Sequence, residues 1–311
     1  MKIIFMGTPD FAVGTLQALA EAGHEMQLVV SQPDKPRGRG KEMQPTPVKA
    51  EALKLGIPVE TPAKVRDEAF LEKLEALAPD AIVVAAFGQI IPQRLLDIPK
   101  YGCFNVHASL LPAYRGAAPI QRAVMDGQKE SGVTIMRMDA GLDTGDMVSR
   151  VVLPLAEDET GGSLFDKLSA AGAKLLVDTL PAIQEGRAVF EKQPEESTTD
   201  YAAMIRKQDG KIDWSQPAVK IERLVRAMNP WPSAYTGLNG KMLKIWKAEV
   251  VEEMGAKEPG QILALENDGI LVQTGAQSLR IKELQIEGKK RMSADAFLRG
   301  SRITENSILE I

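Results

Sequence analysis

Asn105-Val106-His107 is the triplet of this sequence best suited to chemistry, because residues two apart on a strand point to the same side. The strand-like run Cys103 to Ala108 carries it and stops at Ala108-Ser109. A carboxamide and an imidazole would then stand together beyond a strand's carboxyl end, where open α/β sheets bind ligands. The imidazole can move protons near neutral pH, and the carboxamide can donate hydrogen bonds. A hydrogen-bonded structural histidine is the alternative, and His24, after Gly23 at a helix end, is read that way. An acid is offered by Asp139-Ala140-Gly141-Leu142-Asp143-Thr144-Gly145-Asp146, either a tight loop holding a carboxylate near a pocket or a charged surface turn. Spacing alone does not bring that loop to His107.

Such residues need a scaffold, and the first two hundred positions alternate short apolar runs with amphipathic stretches. This pattern predicts an α/β fold with a mainly parallel sheet. Strands are expected at Lys2 to Met6, Met26 to Ser31, Ala81 to Ala86 and Cys103 to Ala108, with an added pair at Val133 to Met138 and Met147 to Leu155. Helices are expected at Phe11 to Ala22, Pro47 to Leu55, Asp67 to Leu77, Ala118 to Met125 and Ser163 to Glu185. Gln193 to Asp200 is polar and aperiodic, so it reads as an exposed linker near a domain boundary. The reading is therefore a catalytic domain over residues 1–189, a linker over 190–206 and a second domain over 207–311. In the last, a helix from Ala218 to Met228 stops at Asn229-Pro230-Trp231-Pro232, and four strand-like runs follow, at Leu243 to Val251, Gln261 to Leu265, Ile270 to Thr274 and Leu279 to Ile286. Asn267-Asp268-Gly269 signals a hairpin, and a small β-barrel is expected.

Other features narrow the chemistry. Gly7-Thr8-Pro9-Asp10-Phe11 sits where a dinucleotide-binding loop would lie, but Pro9 replaces the second glycine of that fingerprint, so a tight strand-to-helix turn is favoured. One cysteine, Cys103, excludes an internal disulfide, and with only two histidines a metal site is not expected. No apolar run reaches the roughly 18 residues of a spanning helix, and no signal-like leader is seen, so the chain is expected to be cytoplasmic and free of the membrane. The net charge of -4 argues against coating nucleic acid by bulk electrostatics. Residues 207–311 are nonetheless slightly basic, with 16 Lys+Arg against 14 Asp+Glu. Residues 33–41 carry net +3 and read as too irregular for helix or strand: either a pliable loop for phosphate or a solvated surface loop.

Gly102-Cys103-Phe104-Asn105-Val106-His107-Ala108-Ser109-Leu110-Leu111-Pro112, Arg115-Gly116-Ala117-Ala118-Pro119-Ile120-Gln121 and Gly141-Leu142-Asp143-Thr144-Gly145-Asp146 together resemble the methionyl-tRNA formyltransferase family. Phe5 to Phe11, Gly38 to Lys41, Ile212-Asp213-Trp214 and Asn229 to Pro232 match as well, so the resemblance covers nearly the whole chain. It implies a Rossmann-like catalytic domain followed by a β-barrel of the oligonucleotide-binding type. It implies Asn105, His107 and Asp143 as catalytic residues and 10-formyltetrahydrofolate as formyl donor. The donor would lie beside Phe87, Gly88, Gln89 and Ile90, with Ser109, Leu110, Leu111 and Pro112 lining its site and the loop from Asp139 to Asp143 closing on the pterin. The acceptor implied is the α-amine of initiator methionyl-tRNA, with Lys35, Arg37, Arg39 and Lys41 as phosphate contacts, and the chain is expected to act as a monomer without metal.

On this reading Asn105 and an N–H of His107 face the oxyanion of the tetrahedral adduct, and Asp143 accepts from the other imidazole nitrogen and fixes its tautomer. A small amine such as glycinamide ribonucleotide or an amino-sugar nucleotide is the nearest rival acceptor. Transfer to water is another, and a binding module with a vestigial site is the rival outside catalysis. The hundred residues beyond the catalytic domain favour a macromolecular acceptor.

Overall fold

The structure is a computed structural model describing residues 1–311 except 38–41, 254, 302, 306 and 311. It divides into two compact units. The first comprises Met1–Pro119, Glu130–Pro154 and Phe165–Ala203; the second comprises Ile120–Lys129, Leu155–Leu164 and Met204–Ile311.

In chain order the elements up to the long helix are β1 (Lys2–Gly7), α1 (Asp10–Glu21), β2 (Glu25–Val30), β3 (Lys35–Arg37), β4 (Glu42–Gln44), α2 (Pro47–Lys54), β5 (Val59–Glu60), α3 (Glu68–Leu77), β6 (Ala81–Ala85), α4 (Gln93–Leu96), β7 (Cys103–His107), α5 (Pro119–Met125), β8 (Glu130–Arg137), β9 (Met147–Pro154) and α6 (Gly161–Gln184). Seven strands form one sheet in the order β5-β2-β1-β6-β7-β8-β9. Pairing is parallel from β5 through β7 and antiparallel from β7 to β9. Ile3, Ile4, Phe5 and Met6 of β1 and all five residues of β6 are buried, the continuous apolar run required of a parallel strand covered on both faces. α1 buries Phe11, Ala12, Leu16 and Leu19 and α3 buries Phe70, Leu71 and Leu74, the spacing of one helical face. Each such phenylalanine or leucine side chain contributes about 1.5–3 kcal/mol of burial. α2 begins where Thr46 caps it, its hydroxyl accepting from Lys49 N at 3.1 Å, with Pro47 at the first helical position.

The chain winds outward from β1 through β2 to β5, then returns to β6 on the other side of β1. That reversal opens a crevice beyond the carboxyl ends of β1 and β6, and β7 is the next strand along. Gly7 lies at this reversal. A methyl on its Cα would stand 2.8 Å from Ala12 Cβ and 3.1 Å from the Ala85 carbonyl, so close packing of strand and helix requires glycine here.

One expectation is corrected. Within the segment expected to be irregular, Lys35–Arg37 forms a strand, because β3 and β4 pair antiparallel, Lys35 with Gln44 and Arg37 with Glu42; residues 38–41 lie outside the described residues. Neither strand is apolar, so no periodicity marks them; the backbone ladder forms the hairpin, and Lys49 pairs with Asp34 at 2.8 Å beside it. The short β5 and α4 also lacked a sequence signal.

The second unit holds α7 (Ala218–Ala227), β10 (Ala234–Leu238), β11 (Lys241–Val251), β12 (Ile262–Glu266), β13 (Gly269–Gln273), β14 (Ser278–Ile286), β15 (Met292–Ser293) and α8 (Ala294–Gly300). Its strands run antiparallel in the order β10-β11-β14-β13-β12, with β15 on β14. The expected hairpin turns at Asn267-Asp268, where Glu266 pairs with Gly269. Gly237 of β10 bridges Glu310 and Gln261 beside β12 bridges Ile308, so one tail segment joins the two sheet edges and closes a barrel. Trp214, Leu243, Ile245, Leu279, Ile281 and Leu284 fill the interior.

Candidate active site

β7 sets the long-range contacts of the site, which spacing along the sequence does not specify. Its pairing with β6 and β8 fixes Asn105 opposite Val84 and Met136, and His107 opposite Thr134. His107 is 5% exposed, while Asn105 is half-buried at the same face. The loop between β8 and β9 carries Asp143 to them: Asn105 Nδ2 donates to Asp143 Oδ1 at 3.4 Å, and Asp143 Oδ2 lies 3.8 Å from His107 Nδ1. Carboxamide, imidazole and carboxylate therefore converge.

The partner of the ring differs from expectation. Asp143 does not hydrogen-bond the imidazole directly, since 3.8 Å exceeds hydrogen-bond distance. Instead His107 Nε2 lies 3.1 Å from the Tyr114 carbonyl. A carbonyl only accepts, so Nε2 carries the hydrogen and the lone pair of the neutral ring is at Nδ1, on the Asp143 side. The carboxylate takes its shortest bond from the backbone, Gly116 N donating to Oδ2 at 2.9 Å.

Two loops supply these groups. After β7, Ser109 Oγ donates to Ala113 O at 2.6 Å, Leu111 N donates to Thr134 Oγ1 at 3.1 Å, and that hydroxyl donates to Ser109 O at 2.7 Å. This folds 109–114 back so that the Tyr114 carbonyl reaches the ring. In the acid loop, Asp139 Oδ1 accepts from Gly141 N at 3.0 Å and Thr144 Oγ1 at 2.8 Å, a local turn that presents Asp143 with φ of +55°.

Residues 190–206, expected as an exposed linker, are mostly exposed but tied down where they pass the site. Gln193 Nε2 donates to Asp143 O at 2.9 Å and Gly145 O at 2.8 Å. Arg115 donates to Gln193 Oε1, Pro194 O and Glu195 O. Ser197 Oγ donates to Pro112 O at 2.7 Å, and Tyr114 N donates to Thr199 Oγ1 at 2.7 Å. Tyr114, Gly116, Arg115 and Gln193 were given no role by sequence. Two of them act through backbone atoms, which no side-chain pattern advertises.

Residues 1–180 match the formyl transferase family, and residues 204–302 match the formyl transferase C-terminal domain. A methionyl-tRNA formyltransferase of Agathobacter rectalis is 56% identical over 311 residues, covering 100% of both chains. The chain belongs to the methionyl-tRNA formyltransferase family. A relative of that name from Bacillus licheniformis is 52% identical over 301 residues, covering 96% of this chain and 95% of that one. Among solved structures, the sugar 3N-formyl transferase WlaRD, determined in the presence of dTDP and 5-N-formyl-THF, superposes with a TM-score of 0.65 at 20% identity, covering 93% of this chain and 99% of that one. At that identity the likeness concerns fold.

Within this formyltransferase, the residues expected around the donor fall into two sets. Phe87, Ser109 and Leu111 are buried and hold the loops: Phe87 lies in the core beside β1 and β6, and Leu111 packs on Met136 and Met147. Gln89 bridges Val65 N and Pro62 O. Gly88, Ile90, Leu110, Pro112 and Asp139 retain accessible surface, Ile90 at 83% exposed and Leu142 of the acid loop at 62%. Of the phosphate candidates, Lys35 is exposed on β3 and Arg37 ends that strand, whereas Arg39 and Lys41 lie outside the described residues. Among the described residues no group of three His, Cys, Asp or Glu is placed to hold a metal, and no helix is long and apolar enough to cross a membrane.

Proposed function

We propose that the chain transfers the formyl group of 10-formyltetrahydrofolate to the α-amine of initiator methionyl-tRNA, with Asn105, His107 and Asp143 as the catalytic residues and no metal. One observation carries the reading: an imidazole nitrogen, a carboxylate and a carboxamide meet at the carboxyl-terminal part of β7, with one side of the ring already committed to Tyr114.

The amine, with a reference pKa of roughly 7.7 to 8.0, is partly neutral near neutral pH and needs orientation and proton removal. Its nitrogen bonds to the formyl carbon as the carbonyl oxygen becomes negative. The second hydrogen of the Asn105 amide faces that oxygen, and removal of such a donor costs about a hundredfold to a thousandfold in turnover. The proton leaving the amine passes to Nδ1 of His107, the lone-pair side of the ring, where the Asp143 carboxylate faces the charge that forms. The carbon–N10 bond then breaks and N10 takes up the equivalent of the proton that left the amine, so the N-formylated amine and tetrahydrofolate form with no net proton consumed.

Accessible Ile90 and Leu142 suit the donor, offering apolar surface to a flat pterin from the loops after β6 and β8. Lys35, Arg37, Arg39 and Lys41 would meet tRNA phosphates, and the barrel would add salt-sensitive contacts. The test is a time course with labelled formyl donor and initiator methionyl-tRNA, elongator methionyl-tRNA, glycinamide ribonucleotide or an amino-sugar nucleotide as acceptor. Initiator methionyl-tRNA should be formylated in preference to every other; Asn105→Ala and His107→Ala should each abolish transfer, and Asp143→Asn should slow it severely while leaving a measurable residual rate, all three remaining folded. Preferred transfer to a small amine, or full turnover by the Asp143→Asn variant, rejects the assignment.

A further inference from the structure

We propose that Gln193, held by Arg115, is a positioning residue that sets Asp143 against His107, making the segment 193–202 part of the active centre rather than a tether. The proposal rests on the assignment of Asp143 above.

Asp143 occupies the left-handed region at φ +55°, a conformation that a side-chain-bearing residue keeps only when its surroundings impose it. Beside the local turn on Asp139, the contact that holds it from outside the loop is the Gln193 carboxamide. Its nitrogen uses both hydrogens on the carbonyls either side of Thr144, those of Asp143 and Gly145. Its oxygen accepts from Arg115 Nε at 3.1 Å and Nη2 at 3.0 Å. A guanidinium only donates and a carbonyl only accepts, so this arrangement admits one orientation of the amide; rotated by half a turn it would set donor on donor and acceptor on acceptor. Arg115 is itself anchored, with Nη1 on Glu195 O at 3.0 Å and Nη2 on Pro194 O at 2.7 Å.

The same strand of chain fixes the other side of the imidazole. Thr199 Oγ1 holds Tyr114 N, Ser197 holds Pro112 O, and Ala202 N donates to Arg115 O at 2.8 Å. Tyr114 is the residue whose carbonyl takes His107 Nε2. Both groups that flank the ring, the Tyr114 carbonyl and the Asp143 carboxylate, are therefore registered by one segment, and the relation between them depends on its being in place. An acid displaced by about 1 Å from its working position can cost roughly a hundredfold in rate.

The test compares the full-length parent with Gln193→Ala, Gln193→Glu, Asp143→Asn and the double variant Asp143→Asn/Gln193→Ala, measuring kcat, both KM values and the pH profile of kcat, with circular dichroism as the folding check. Gln193→Glu keeps the size of the side chain and the acceptor for Arg115 but replaces the bidentate donor. Both Gln193 variants should lose about a hundredfold in kcat with KM values within about twofold, and should move the pH midpoint of kcat. The double variant should be no slower than Asp143→Asn alone, because Gln193 acts through that acid. Parent-like kcat and pH profile in both Gln193 variants, alongside an impaired Asp143→Asn, would overturn the brace and leave the acid's assignment standing. A further multiplicative loss in the double variant would also overturn it. A fully active Asp143→Asn would remove the assignment itself, and the brace with it.

Discussion

Replacing Gly116 by alanine isolates the backbone donor of the site. Gly116 sits at φ +124°, where a built Cβ would stand 2.6 Å from the Ala202 carbonyl oxygen and 2.8 Å from Tyr201 Cε2. The carbonyl cannot simply swing away, since Ala118 N donates to it at 3.0 Å. Holding alanine in that region costs about 1–3 kcal/mol, and the clash adds to it, so a loss of about 3 kcal/mol in unfolding free energy is expected. Relief of the clash moves the loop and lengthens the 2.9 Å bond from Gly116 N to Asp143 Oδ2. A hydrogen bond to a charged group is worth about 1.5–3 kcal/mol; loss of half that worth in the transition state is about fourfold to twelvefold in kcat. Gly186 is the control, with φ +68° and nothing within 4 Å of its built Cβ. Alanine there pays only the left-handed penalty of about 1 kcal/mol and leaves kcat unchanged. Urea unfolding and formyl-transfer kinetics on both variants give the comparison. If Gly116→Ala matches Gly186→Ala in stability, or turns over like the parent, the packing and donor argument is wrong.

Three further outcomes are expected. Lys35→Ala should raise KM for tRNA and flatten the logarithmic salt dependence by about one unit without changing kcat; identical salt slopes would show that Lys35 meets no phosphate. Cys103 is buried with its thiol pushed up to about 12, chiefly by burial and then by the charge of Asp97, so it should resist alkylation in the native protein and react fully once unfolded; rapid native labelling would contradict this. The His24 imidazole is held below its ordinary value by burial, so its neutral form is favoured in the fold. The unfolded chain binds more protons just below about pH 6.5, so His24's contribution is complete above that value and lost as pH falls through the lower native value. His24→Asn should flatten stability across that window, and an unchanged slope in urea titrations would refute the assignment.

The fold was legible where burial repeats in sequence. β1 and β6 are continuous apolar runs because helices cover both faces, and α1, α3 and α7 show one apolar stripe each. The β3–β4 hairpin was not legible, since it buries little: Lys35, Pro36, Met43 and Gln44 are all exposed, so no alternation distinguishes it from a loop. Closure of the barrel by residues 308–310 was equally hidden, because bridges to Gly237 and Gln261 are backbone pairings between distant positions.

For the site, the strand period placed Asn105 and His107 together, but it could not choose the ring's partner. That choice depends on where Tyr114 O and Gly116 N stand, and those follow from a fold-back built by Ser109, Thr134 and Thr199. Each of these is a hydroxyl meeting main-chain atoms, a contact that many sequences could make and only a folded chain selects. The consequence is chemical. With Nε2 donating to Tyr114 and Nδ1 on the side of an acid 3.8 Å away, the proton transfer proposed above would load the ring next to Asp143 rather than opposite it. An acid hydrogen-bonded to the ring throughout would already hold that position in the resting state, whereas the observed gap leaves the Nδ1 lone pair unbonded to the acid, as the proposed proton removal from an amine requires.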